Sequence, residues 1–290
     1  MPRVTVHLIQ AFTENGSGGN GAGVVLDAQN LDQDQRQAVA RTIGLSETAF
    51  VSPSPRAAFR LEFFTPARQV AHCGHATVAT FWLLARLGRV DCDRSSKETV
   101  DDVRAIRFHA DMVFMEQKQP AYRVPNTPAA DLWESLGLDP GACHPDSGMA
   151  VVSTGNSWLV VPVRDESTLA SAAPDASRIR RISEAMGIVG YYACAPAPSG
   201  NEYDLACRMF APLYGIDEES ATGSAAGPAG CFHHDRLGSP QATLVLRQGH
   251  LMTPPSPSRI EVRLNLDDGE VRNLLVGGRA AAAGERVVEV

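Results

Sequence analysis

Lysine is almost missing from this chain. Among 290 residues only Lys97 and Lys118 occur, so nearly all positive charge is carried by arginine. No run of five or more Lys or Arg exists and the formal net charge is −7, which argues against nucleic acid or an anionic membrane as the main partner. The six cysteines (Cys73, Cys92, Cys143, Cys194, Cys207 and Cys231) never fall in a Cys-x-x-Cys pair. That spacing fits buried thiols in a reducing cytoplasm better than a zinc or disulfide framework. No apolar stretch reaches the roughly 18 residues of a membrane span. The opening MPRVTVHLIQAF alternates like a strand, without a basic region, apolar run or cleavage site. The expected location is the cytoplasm. A phosphate loop is lacking too, because GSGGNGAG follows one strand and precedes another, where a dinucleotide site needs a helix.

What is present describes a globular protein: 44% apolar and 20% charged residues, in a chain long enough for two domains. Four short anchors recur in order. GNGAGVVL from Gly19 returns as GNSWLVVPV from Gly155, offset 136, and TIGLSETAFV from Thr42 returns as AMGIVGYYAC from Ala185, offset 143. FTPARQV from Phe64 returns as FAPLYGI from Phe210, offset 146, and RLG at Arg86 returns at Arg236, offset 150. Any one anchor is weak. Four in sequence, with an offset that only grows, point to a duplicated half that gained residues in loops.

The two halves also share an element order. VTVHLIQAF and GAGVVLD read as strands, and DQDQRQAVARTIG as a helix capped by Asp32 and stopped at Gly44. SETAFV and AFRLEFF return to strand, His75 to Leu87 is helical, and VRAIRFHA with MVFMEQ forms a strand pair. The second half repeats this with strands MAVVSTG and SWLVVPV, helix DASRIRRISEAMG, strands YYACA and YDLACRMF, and a helix from about Thr222 to Leu237. Strands ATLVLRQ, RIEVRLNL and ERVVEV follow. The fold class is α+β: two pseudo-symmetric lobes, each a mostly antiparallel sheet around one central helix. The lobes are expected at 1–120 and 121–290, with the last strand a candidate to return to the first lobe. MEQKQPAYRVPNTPAADLW, with Pro120, Pro125 and Pro128, is the natural linker.

Two helix starts hold the residues with chemistry: Gly74-His75 in one half and Thr222-Gly223-Ser224 in the other, each after a Phe-x-Pro strand end. If the lobes face each other, free N–H groups and positive dipole ends converge on one cavity suited to a carboxylate or enolate. Glu47 lies close by in LSETAF, and its echo in the second half is Gly190, so only one half kept the carboxylate. Glu218 and Glu219 precede the second helix. A carboxylate between apolar walls has its acid form favoured and can shuttle protons near neutral pH. Each residue alone has an ordinary reading: Glu47 as a strand-end carboxylate, His75 as a packed core histidine, Glu218 and Glu219 as first-turn acids, Cys73 as a small hydrophobe. His72, Cys73 and His75 lack helical metal-ligand spacing and a partner motif, so no metal is expected.

SETAFV, FFTPARQVAHCGHATVAT and RMFAPLYGIDEESATGSAAG together resemble the phenazine-biosynthesis PhzF-like family, in order and over nearly the whole chain. The resemblance implies two barrel-like halves of the diaminopimelate-epimerase-like fold and a cofactor-free isomerase that transfers a proton at carbon. It assigns Glu47 as the proton shuttle, with His75 and Glu219 completing the catalytic set. Ser46, Gly74, Thr222, Gly223 and Ser224 would bind a small carboxylic or amino acid. It also implies a homodimer. The chain departs from the family pattern at Glu219-Ser220, where Asp-Pro is usual, at Asn20-Gly21, where Asn-Pro is usual, and at Gln69, where an acid is common. The leading expectation is an isomerase moving a proton and double bond in an unsaturated acid of specialised, antibiotic or phenazine-like, metabolism. An amino-acid racemase using Cys73 is the alternative, but its second helix start offers only hydroxyls, which are poor bases. A non-catalytic binding protein is the third reading.

Overall fold

The computed structural model describes residues 3–91, 93–100 and 102–290, so Cys92 lies outside it. Two compact units emerge, Met1–Glu116 with Gly277–Val290 and Gln117–Val276. The first contains β1 (Arg3–Ala11), β2 (Asn20–Val25), α1 (Gln33–Ile43), β3 (Glu47–Ser52), β4 (Phe59–Phe64) and β5 (Gln69–Val70). It continues with α2 (Gly74–Arg86), β6 (Arg94–Glu98), β7 (Val103–His109) and β8 (Met112–Gln117). The second unit contains β9 (Ala121–Arg123), α3 (Ala129–Ser135), β10 (Ala150–Ser153), β11 (Ser157–Pro162), α4 (Glu166–Ala170) and α5 (Ala176–Met186). After these come β12 (Gly190–Pro196), β13 (Leu205–Ala211), β14 (Ile216–Glu219), α6 (Gly223–Leu237), β15 (Thr243–Gln248), β16 (Ser258–Asp267) and β17 (Glu270–Gly278). The last strand, β18 (Ala280–Glu289), pairs antiparallel with β1 and belongs to the first unit.

The repeat offsets reappear as strand register. In the first unit β2 runs parallel to β3 with Ala22 opposite Glu47; in the second, β11 runs parallel to β12 with Trp158 opposite Gly190. These pairs differ by 136 and 143 positions, the offsets of the first two anchors. The antiparallel pair Thr48 and Phe64 (β3, β4) likewise matches Tyr191 and Phe210 (β12, β13), at offsets of 143 and 146. β4 then runs parallel to β6, as β13 does to β15. The strands of both units are therefore paired parallel in the same places.

Each unit winds its sheet around a helix apolar on nearly every side, which suits a helix with no wet face. In α2, residues His75 through Phe81, then Leu83 and Leu84, are buried, and the helix lies against β1, β2, β3 and β18. In α6, Ala225 through Phe232 are buried and the helix lies against β10, β11, β12 and β16. Burying a side chain such as Phe81 or Leu84 contributes about 2–3 kcal/mol over leaving it exposed.

Outer helices cover the other sheet faces. α1 starts at a capping box between Asp32 and Gln35 and ends at Gly44 with φ 72°, and buries Val39, Ala40 and Ile43 beside Phe50 and Phe64. α3 and α5 bury Leu132, Trp133, Ile179 and Met186 beside Leu159, Tyr191 and Phe210. The stretch read as a linker is built into the second unit, because β9 pairs with β10 and α3 docks on the core through Leu132 and Trp133. Its three prolines are compatible with this: Pro128 is the N-cap of α3, where no helical N–H is lost. β4 buries successive residues Phe63 and Phe64, one to each face, while Arg60 stays exposed.

Candidate active site

The start of α2 is unusual because a thiol caps it. Cys73 is the N-cap, in extended conformation, and its Sγ accepts from the Ala76 N–H at 3.5 Å. Only Gly74 separates it from His75, but the change from extended to helical backbone brings both side chains to one point. Cys73 Sγ lies 3.5 Å from His75 Nδ1 and 3.8 Å from Nε2. β3 delivers the third group: His75 Nε2 is 3.3 Å from Glu47 Oε2 and 3.3 Å from Ser46 Oγ. The far ring nitrogen, Nδ1, meets the Asn20 carboxamide at 3.1 Å. With the Asn20 amide donating to Nδ1, the neutral ring carries its proton on Nε2, on the side of Ser46 and Glu47.

This cluster is dry. Glu47 and His75 are 9% and 4% exposed, and Cys73 and Asn20 are buried with them. Desolvation raises the Glu47 pKa above its ordinary value of 4.5, while hydrogen bonds from Ser46 and Cys73 pull it partly back. Glu47 Oε2 is buried without a hydrogen-bond partner in bonding geometry. Burial thus favours the acid form of this carboxyl group, and it stands at a helix start where negative charge is favoured.

Behind the cap, Thr77 Oγ1 donates to Cys73 O at 2.6 Å and accepts from Lys97 Nζ at 2.7 Å. Lys97 is fully buried, with its Nζ 5.2 Å from the Phe63 ring centroid. Burial pushes its pKa down to about 7.

In the second unit the start of α6 is assembled differently. Thr222 is the N-cap, yet its hydroxyl does not cap the helix; it donates to Glu219 Oε2 at 2.7 Å. The first intrahelical bonds run from Ala225 and Ala226 to Thr222 O, so the N–H groups of Gly223 and Ser224 point out of the helix end. Gln248, fully buried, accepts from the Thr222 N–H at 3.1 Å and from Tyr192 Oη at 2.9 Å, and donates to Glu219 O at 2.7 Å. Gln117 donates to Gly223 O at 2.9 Å. Glu218 is engaged elsewhere, by two hydrogen bonds of 2.8 Å from Arg208. Glu219 is thus the carboxylate that turns toward the helix start.

The residues singled out in the sequence therefore form two groups, one in each unit. Ser46, Glu47, Gly74 and His75 meet at α2, and Glu219, Thr222, Gly223 and Ser224 meet at α6. Sequence reasoning missed Gln117, Gln248 and Lys97 as supports, since a polar residue at a strand end carries no mark of where it points. The empty counterpart of Glu47 has a steric cause: a Cβ on Gly190 would stand 2.2 Å from Phe210 O.

The family of phenazine biosynthesis-like proteins (PhzC-PhzF) matches residues 9–286. The uncharacterized isomerase YddE of Escherichia coli K12 is 34% identical over 285 residues, 95% of each chain. An uncharacterized isomerase of Deinococcus radiodurans is 35% identical, over 96% of this chain and 92% of its own length. A crystal structure of a PhzF-family phenazine biosynthesis protein from Bacillus anthracis superimposes with a TM-score of 0.91 over all of both chains, at 24% identity. Among the described residues no helix is long and apolar enough to cross a membrane.

Proposed function

The chain belongs to the phenazine biosynthesis-like family, and from that premise we propose an isomerase that moves a proton and a double bond in a small unsaturated amino or carboxylic acid. Glu47 is its acid and base. The observation that carries this reading is the pairing of a buried carboxyl group of raised pKa with His75 Nε2, 3.3 Å away.

Glu47 takes the proton from a carbon activated by conjugation, and the C–H electron pair moves into the conjugated system. The same carboxyl group, after exchanging its proton with solvent, protonates a carbon further along, so the substrate gains and loses no atom overall. Negative charge building on the substrate is met by the Nε2–H of His75 and the positive end of α2, dipoles fixed before reaction begins. Ser46 and Gly74 shape the substrate's surroundings. In the second unit, the N–H groups of Gly223 and Ser224 suit a carboxylate, and Glu219 holds the Thr222 hydroxyl beside them. The reading extends to a homodimer and to specialised metabolism of the antibiotic or phenazine-like kind.

Incubation with conjugated acids in heavy water tests this, with mass gain and ultraviolet change read together. Wild type should incorporate deuterium and shift absorbance, and Glu47→Gln should do neither while still binding the acid. Full turnover by Glu47→Gln would remove Glu47 from the mechanism.

A further inference from the structure

Glu47, Cys73 and His75 carry a second chemistry that proton transfer does not require. Their donor atoms all lie within 4.8 Å of one another. Zinc bonds of about 2.3 Å to sulfur and about 2.0–2.2 Å to nitrogen or oxygen set tetrahedral donor–donor edges of roughly 3.3–3.6 Å. The corresponding separations are 3.8 Å for Cys73 Sγ to His75 Nε2 and 3.3 Å for His75 Nε2 to Glu47 Oε2. The His75–Glu47 edge already matches, and Cys73 Sγ, which also lies 3.5 Å from Nδ1, completes the set by swinging toward Nε2. Independently, Glu47 Oε2 is buried beside these groups without a hydrogen-bond partner, as an acceptor awaiting a cation would be.

We propose that Glu47, Cys73 and His75 form a binding site for a soft divalent cation of the zinc class, and that the ion inhibits by taking the shuttle carboxylate. The inhibition rests on the isomerase reading; the binding does not. Cys-x-His is too tight a spacing for two ligands within one helix. It works here because Cys73 is the extended N-cap and His75 the second helical residue. A thiolate and a carboxylate neutralise the ion's two charges, which favours such an ion in a dry site. Ligation through Nε2 moves the ring proton to Nδ1, and Asn20 accepts it by turning its carboxamide over. A fourth position stays open for water or a ligand carboxylate.

The test uses the full chain after treatment with chelator. Equilibrium dialysis should find one Zn²⁺ per chain, weakened more than about 10-fold in Cys73→Ser and in His75→Asn. Co²⁺ added to wild type should give a near-ultraviolet thiolate-to-cobalt band, and this readout needs no variant to fold. No such band, or Zn²⁺ binding within about twofold of wild type in both variants, would overturn the site. Zn²⁺ should also stop deuterium incorporation at one equivalent. Bound Zn²⁺ with undiminished exchange would overturn the inhibition. Should chelator-treated protein exchange no acid at all, the isomerase reading fails while the cobalt band still decides the site.

Discussion

Lys97 and Leu246 hold the same place in their two units: each lies on a strand parallel to its neighbour, opposite Phe59 and Leu205 respectively, and each is fully buried. One half fills the position with a leucine, the other with an ammonium-bearing chain whose only lysine neighbour in sequence is Lys118. Burial lowers the Lys97 pKa from 10.5 to about 7. Between those values the unfolded chain holds a proton that the folded chain has released, so stability rises with pH across that window. Lys97→Met should therefore stabilise the protein, by a few kcal/mol more at pH 6 than at pH 9. Urea melts at the two pH values check this, and an equal gain at both would remove burial of charge as the cause.

Glu47 gives the opposite pH trend. Its folded pKa lies above its ordinary 4.5, so its contribution is best below that value and is lost as pH rises through the folded pKa. Glu47→Gln should leave the melting temperature nearly unchanged at pH 4 and raise it at pH 8, while abolishing isomerisation. Differential scanning calorimetry at both pH values, run beside the deuterium assay, measures the two effects on one preparation.

Gln248 is expected to act through Glu219 and Thr222 rather than on substrate. Gln248→Leu strands Tyr192 Oη and the Thr222 N–H in a dry interior, a loss of about 3 kcal/mol from two unmet groups. Denaturant titration reads the stability cost. If Gln248 positions the helix start, KM should rise more than kcat falls; a fall in kcat alone would contradict that role.

Gly190 cannot accept what its counterpart carries. Even Gly190→Ala places a Cβ 2.2 Å from Phe210 O, between two hydrogen-bonded strands that cannot part cheaply. A loss of about 3 kcal/mol is expected, at the upper end of overpacking. Gly141→Ala, where a Cβ meets nothing within 4 Å, serves as the control and should stay within about 0.5 kcal/mol of wild type in the same melts.

Much of the molecule was legible in the chain because the responsible interactions are local. Asp32 and Gly44 bracket α1 through contacts spanning a few residues, and the anchors of the repeat became matching registers, Ala22 with Glu47 and Trp158 with Gly190. α3 and β9 escaped notice because both are short and sit among prolines, where pattern is weak and docking against Trp133 and β10 does the ordering. Residue type and motif alone brought Glu47, His75 and Glu219 forward as candidates. Their surroundings were another matter. That Cys73 and His75 meet Glu47, that Arg208 occupies Glu218, and that Lys97 sits without water follow from contacts between residues far apart in sequence. No periodicity records which strand ends beside which helix start; only strand pairing and helix packing bring them together and exclude the water that would otherwise separate them.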